Sequence, residues 1–241
     1  MPYTDVIAID PSTTCTGLCI NGQVSCIVSE EDAMTKTGRL SKWFDTASNV
    51  AGVQMYTLPS SLHTGKRTTF TVSEVNKLLK YDFITDYLLN QIKKVVPNLT
   101  QTLCIIEGYS YNSLAGNLID LVTYSTLIRQ KLIRQGATLR VIPPAELKLC
   151  AAKLTYKAID VGKQKTKLEW RNHEGVAAGR FTKHEMYKAI CENSGLTDPW
   201  SEMLREHLSD QIASKSISKP LNDINDSYLM YQCFKAGHIN T

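Results

Sequence analysis

Two short apolar runs in this sequence, Val6-Ile7-Ala8-Ile9 and Leu103-Cys104-Ile105-Ile106, lead directly into acids, Asp10 and Glu107. Each is too short for a buried helix and lacks the alternation of a half-exposed strand, so both predict strands buried on two faces. Such a sheet needs helices above and below it. Helical stretches are expected from a Ser73 cap to about Val96, with Pro97 as the stop, and from Leu114 to Arg134, ended by Gly136. Others are expected from near Ala145, from Lys183 to Glu192, from Ser201 to Lys215 after a turn at Thr197-Asp198-Pro199, and from Asn222 to Phe234 behind Pro220.

Between the two acid-ended runs, Cys15 to Ile20 and Gln23 to Val28 flank Asn21-Gly22, the pair a type I′ turn prefers, and predict a β-hairpin. Residues 29–50 read as a polar insertion with a short helix. Val53 to Leu58 is either another strand or the displaced end of the third, and Thr138 to Ile142 adds a further strand. The expected class is α/β, with a mixed central sheet, an antiparallel hairpin then parallel strands, flanked by helices in a single domain.

Composition narrows the function classes. At 241 residues, 43% hydrophobic and 21% charged, the chain can bury a core and does not resemble a disordered or collagen-like one. No apolar run approaches the roughly 20 residues that span a bilayer, and the start MPYTDVIAID does not read as a signal peptide, so a cytoplasmic protein without membrane partners is expected. The seven cysteines are dispersed with no CxxC pair, the pattern of reduced core thiols rather than disulfides or zinc ligands. The histidines are equally dispersed.

Charge is unevenly placed. From Lys148 to Lys188 ten Lys or Arg face four acids, giving that segment +6 of a chain total of +4 and leaving −2 elsewhere. A charge run can be a solvated helix face, or it can contact phosphates where neighbouring chemistry calls for nucleic acid.

Four carboxylates supply such chemistry. Asp10 and Glu107 end buried strands at the sheet rim, and Asp223 and Asp226 stand i, i+3 on one face of the last helix. If that helix crosses the sheet, all four converge, and their mutual repulsion calls for divalent cations, of which magnesium or manganese suits oxygen ligands. Two such ions about 3.5–4 Å apart can hydrolyse a phosphodiester without a protein nucleophile. Taken singly, each acid has an ordinary alternative: Asp10 capping the Ser12-Thr13 turn, Glu107 as a satisfied strand end, Asp223 and Asp226 complementing a helix N-terminus. The joint pattern favours a site.

These motifs resemble a known family. Ile7-Ala8-Ile9-Asp10-Pro11-Ser12 through Thr16-Gly17 resembles the opening motif of the RuvC-type Holliday-junction resolvases, Ile105-Ile106-Glu107 their second motif, and Asn222-Asp223-Ile224-Asn225-Asp226-Ser227 their final acidic helix. The order spans almost the whole chain. The resemblance implies an RNase H-like fold and a magnesium-dependent endonuclease, with manganese as a substitute, that resolves four-way DNA junctions as a homodimer. It gives Asp10, Glu107, Asp223 and Asp226 metal-binding catalytic roles, and Lys148 and Lys183 the places of lysines beside the scissile phosphate. Ser12 stands where glycine is common, Gly108 replaces a larger residue, and extra residues fall near 29–72 and 155–178, which looks more like a viral or phage branch.

Around that site, Lys163, Lys165 and Lys167 in the second insertion are expected to add salt-sensitive DNA affinity. Tyr109 and Tyr111, just after Glu107, are candidates to stack on bases unpaired at the crossover. Leu118, Leu121, Val122, Leu127 and Ile128 can serve either a dimer interface or the core. One alternative keeps the fold and metals but takes flaps, forks or other branched DNA. Another, an actin-like ATPase, is suggested by Asp10-Pro11-Ser12-Thr13-Thr14, but requires two such domains and a second phosphate loop that the sequence lacks.

Overall fold

The computed structural model describes residues 3–62, 69–109, 115–162 and 168–239. Its centre is a six-stranded mixed sheet built on the two acid-ended runs. β1 (Asp5–Asp10) pairs antiparallel with β2 (Cys15–Ile20), which pairs antiparallel with β3 (Gln23–Ser29). Asn21 and Gly22 between them have φ of 51° and 92°, the left-handed pair that the type I′ expectation requires. Beyond β3 come two short helices, α1 (Glu30–Ala33) and α2 (Lys42–Ser48), where one was expected. The segment near Val53 resolves into a separate strand, β4 (Gly52–Tyr56), running parallel to β3 at the sheet edge.

Helix α3 (Phe70–Val95) starts earlier than expected because Thr69, not Ser73, caps it, its hydroxyl accepting from Val72 N. β5 (Thr102–Glu107) then lies parallel to β1, and after α4 (Ala115–Arg134) β6 (Thr138–Ile142) lies parallel to β5. The strand order β4-β3-β2-β1-β5-β6 makes the mixed central sheet that was expected, an antiparallel hairpin joined to parallel strands and flanked by helices. α5 (Pro144–Thr155) precedes a small antiparallel pair of strands, β7 (Ala158–Asp160) and β8 (Leu168–Trp170).

The C-terminal third is helical: α6 (Lys183–Glu192), α7 (Pro199–Glu206), α8 (Leu208–Ala213) and α9 (Leu221–Lys235). The single polar helix expected over 201–215 is broken at His207, which caps the end of α7 and the start of α8 with a non-helical backbone. All seven cysteines are buried and free, as the dispersed pattern implied. No helix among the described residues is long and apolar enough to cross a membrane.

Strand alternation divides the core. Ile7 and Ile9 of β1 and Cys104 and Ile106 of β5 pack on one face with α3 and α4, through Leu88, Ile92, Tyr124 and Ile128. Val6, Ala8, Leu103 and Ile105 point to the other face, against Leu147 of α5, Ile190 of α6 and Ile224 and Tyr228 of α9. By the same period of two, Asp10 and Glu107 belong with this second set. Both acids therefore emerge on the α9 side.

Candidate active site

The parallel register pairs Ile9 with Ile106, so the next residue on each strand, Asp10 and Glu107, stand side by side at the carboxyl edge of the sheet. Helix α9 brings the third acid. It can reach the sheet because of Gly17, which pairs with Asp10 across β1 and β2. A Cβ on Gly17 would fall 1.9 Å from the carbonyl oxygen of Asp223, so only glycine lets the α9 backbone lie against β2 there.

Further contacts fix the rotation of α9. Trp200 of α7, fully buried, donates its indole N–H to Asn225 Oδ1 at 3.0 Å. Asp198 caps α7 by accepting from the Trp200 and Ser201 amides, and also accepts from the Tyr228 hydroxyl of α9. Asn225 lies between the two helical acids, so the α7 anchor sets where both point.

As a result, carboxylate oxygens of Asp10, Glu107 and Asp226 all lie within 4.8 Å of one another. Asp223, one turn earlier, lines the same cleft as Asp10 and Glu107 but stands outside this tight trio. Its Oδ2 is buried with no hydrogen-bond partner. Of the four acids expected to converge, three form one cluster and the fourth adjoins it.

Burial and crowding act together on these groups. Burial pushes the Glu107 carboxyl up to about 7, helped by Asp226 and opposed by Lys183. Asp10 is held well above the usual carboxylate range by burial, then by Glu107 and Asp226. Burial also raises Asp223 to about 6 and raises Asp226, with Lys219 opposing the first and Lys183 the second. A group of acids that resists ionisation in its own company is a seat for a compensating cation.

Lys183 is the cation the chain itself supplies. It is the first residue of α6, whose start is fixed by a capping box between Thr182 and Glu185 and by burial of Phe181 and Met186 on either side. Its ammonium donates to the Asp226 carboxylate. Burial pulls the Lys183 ammonium down, but attraction to Asp226, Glu107 and Asp10 wins and holds its pKa above the ordinary lysine value.

Asp10 and Glu107 line an open cleft of about 680 Å³ together with Lys148, Tyr109, Ser125 and the loop Pro11 to Thr14, while Asp226, fully buried, is clustered with them. Arg129 stacks over the Tyr109 ring at 5.3 Å. Lys163, Lys165, Lys167 and Tyr111 lie outside the described residues. Several other charges of the basic segment are already engaged: Arg171 pairs with Glu169 at 2.6 Å, Lys188 pairs with Glu174, and Lys153 lies 5.0 Å from the Trp170 ring. Lys219, which sequence reasoning missed, also lines the cleft and donates to Thr14 Oγ1. Its signal was its place immediately before the proline that opens the acidic helix.

No protein-family model matches this chain, and none of the curated proteins matches it. Among solved structures, Thermus thermophilus RuvC in complex with a Holliday junction substrate aligns with 98% of this chain and 96% of its own, at 10% identity and a TM-score of 0.45. A structure of Thermus thermophilus RuvC aligns with 96% of this chain and 95% of its own, at 12% identity and a TM-score of 0.42. Over nearly their whole lengths, the solved structures to which this chain is similar include those of RuvC.

Proposed function

We propose that this chain is a divalent-cation-dependent endonuclease that cuts branched DNA, with the four-way junction as its substrate. The observation that carries the reading is the trio Asp10, Glu107 and Asp226, of which Asp10 and Glu107 line an open cleft and Asp226 is buried with the Lys183 ammonium against it. The donor set fits a hard cation: the ligand atoms are all carboxylate oxygens, and the buried, unpartnered Oδ2 of Asp223 adjoins them. When bound there, magnesium or manganese supplies Lewis-acid polarisation of a phosphate and of the attacking water, in the two-ion form the four acids suggest.

The chain's own groups do the rest. Asp10, Glu107, Asp226 and the adjoining Asp223 hold the ions, and Lys183 lends positive charge where negative charge grows on the phosphate. Lys148 holds the strand from α5, and Tyr109 offers a ring for an unpaired base. Lys163, Lys165 and Lys167 add affinity through counterion release. Paired incisions in a two-fold junction fit a two-fold dimer. On α4, Ile128 belongs to the core, so an interface there would draw on Ile119, which is 61% exposed, and the half-buried Leu118 and Val122.

Cleavage of labelled four-way, forked, flapped and linear duplex DNA, side by side with magnesium, tests the reading. Preferred paired cutting of the four-way junction is expected. Preference for forks or flaps would move the substrate assignment, and no cleavage of any DNA would end it.

A further inference from the structure

Lys183 is not the only ammonium in the acidic cleft. Lys219 reaches it from the opposite end of the sequence to the loop it touches, its Nζ donating to Thr14 Oγ1 just beyond β1. The Thr14 hydroxyl lies 3.4 Å from Ser12 Oγ, and Lys219, Ser12 and Thr14 line the cleft together with Asp10 and Glu107. Thr16 secures the base of this loop by donating to the Ser12 carbonyl at 3.1 Å and sharing a 2.8 Å bond with the buried Tyr124 hydroxyl.

The two lysines differ in what they have left to give. Lys183 is engaged with a carboxylate, whereas among the described residues Lys219 forms no ion pair and meets only a neutral hydroxyl. An ammonium carries three donors, so a tether to one hydroxyl fixes its position without consuming its charge or its other two N–H groups. Asp223, four residues further on, is the acid most influenced by this charge. A polyanion entering a carboxylate-floored cleft needs cations away from the floor as well as on it.

We infer that Lys219, held by Thr14, is a phosphate-positioning residue, taking a backbone phosphate of the bound strand that flanks the one over the carboxylates; this rests on the nuclease reading above. The Ser12 and Thr14 hydroxyls are placed to add hydrogen bonds to the same phosphate. Lys219 thus acts on where the strand lies, and Lys183 on the reacting phosphate itself.

The test compares Lys219→Gln, which keeps a side-chain N–H donor, one bond shorter, but drops the charge, with Lys219→Arg, which keeps the charge. Four-way junction binding is measured across a salt series in EDTA, and single-turnover cleavage at saturating enzyme with magnesium. Lys219→Gln should weaken binding about 3- to 10-fold near 0.1 M salt and reduce the salt slope by about one, as expected for one lost phosphate contact. Its rate at saturation should stay within about threefold of the parent, and Lys219→Arg should recover both slope and affinity. Thr14→Val, which removes the tether but no charge, should weaken binding with the slope unchanged, and this holds the inference to account if Lys219→Gln does not fold. Parental affinity and slope in Lys219→Gln would overturn the inference while leaving the nuclease reading intact. So would a loss at saturation as large as that of Lys183→Ala. A parent protein that neither binds nor cuts DNA would remove the reading on which it rests.

Discussion

The ammonium of Lys183, the first residue of α6, rests on the carboxylate of Asp226 in α9, which is 1% exposed. The pair ties two helices together at the point where the acids crowd. Removing the lysine should therefore have two separable effects. Lys183→Ala should slow single-turnover cleavage by about 10²- to 10³-fold with junction affinity nearly unchanged, because the lost charge acts on the transition state. In EDTA it should also lower stability, by about 1–2 kcal/mol, less than a fully buried pair because the lysine side chain is itself 45% exposed. Saturating magnesium should narrow that stability gap. A normal single-turnover rate would count against the role.

The acids predict an inverted pH dependence for the metal-free protein. Glu107 lies near 7 and Asp223 near 6, with Asp10 and Asp226 also raised, each chiefly by burial. Unfolded carboxyls titrate near ~4, so between about pH 4 and 7 the folded chain binds more protons than the unfolded one. Stability is then fully present below the unfolded value and is lost as pH rises through the folded ones. Melting temperature in EDTA should fall from pH 5 to pH 8, and magnesium should raise it more at pH 8 than at pH 5. Glu107→Gln should flatten the profile and, at pH 8 without metal, stand above the parent by on the order of 2 kcal/mol. Calorimetry that found a flat or rising profile in EDTA would contradict this.

Gly17 predicts a third outcome, one that concerns packing. Gly17→Ala puts a methyl group where the Asp223 carbonyl now lies, so α9 must lift from β2. A loss of about 3 kcal/mol or more and collapse of magnesium binding together are expected, since the same displacement moves Asp226 away from Asp10. Retained stability and metal binding, measured by denaturant unfolding and isothermal titration, would show that α9 is not held as described.

The contrast between β1 and α9 explains what was legible in the sequence. Apolar runs ending in Asp10 and Glu107 announced both strands and their rim acids, because side-chain alternation is a local property. Asn21-Gly22 likewise announced its turn. The convergence of Asp226 with those acids could be expected from i, i+3 spacing, yet the displacement of Asp223 from the trio depends on how α9 is rotated by Trp200 and Asn225, a contact 25 residues long in sequence. The break at His207 and the Thr69 cap also escaped local pattern, because tertiary packing decides between helical registers of similar propensity, whereas the edge strand β4 was one of the two readings the segment near Val53 allowed. Lys219 escaped for a related reason: its partner Thr14 is 205 residues away.

Tyr109 lines the cleft beside Glu107, under Arg129. If its ring stacks on a base unpaired at the crossover, Tyr109→Ala should weaken junction cleavage by about 1–3 kcal/mol equivalent, roughly 5- to 150-fold, and reduce base opening reported by a fluorescent base analogue. Tyr109→Phe should retain both. An unchanged opening signal in Tyr109→Ala would remove the stacking role.

Whether the three clustered acids hold metal for cutting is tested most directly by Asp226→Asn, assayed for cleavage and for binding on the same four-way junction. Asn keeps the size of the side chain while removing a charged ligand from the trio. Magnesium-dependent cleavage should fall below detection while junction affinity in EDTA stays within about threefold of the parent, because the acids serve chemistry and the lysines other than Lys183 serve affinity. Cleavage at the parental rate in Asp226→Asn would contradict the account.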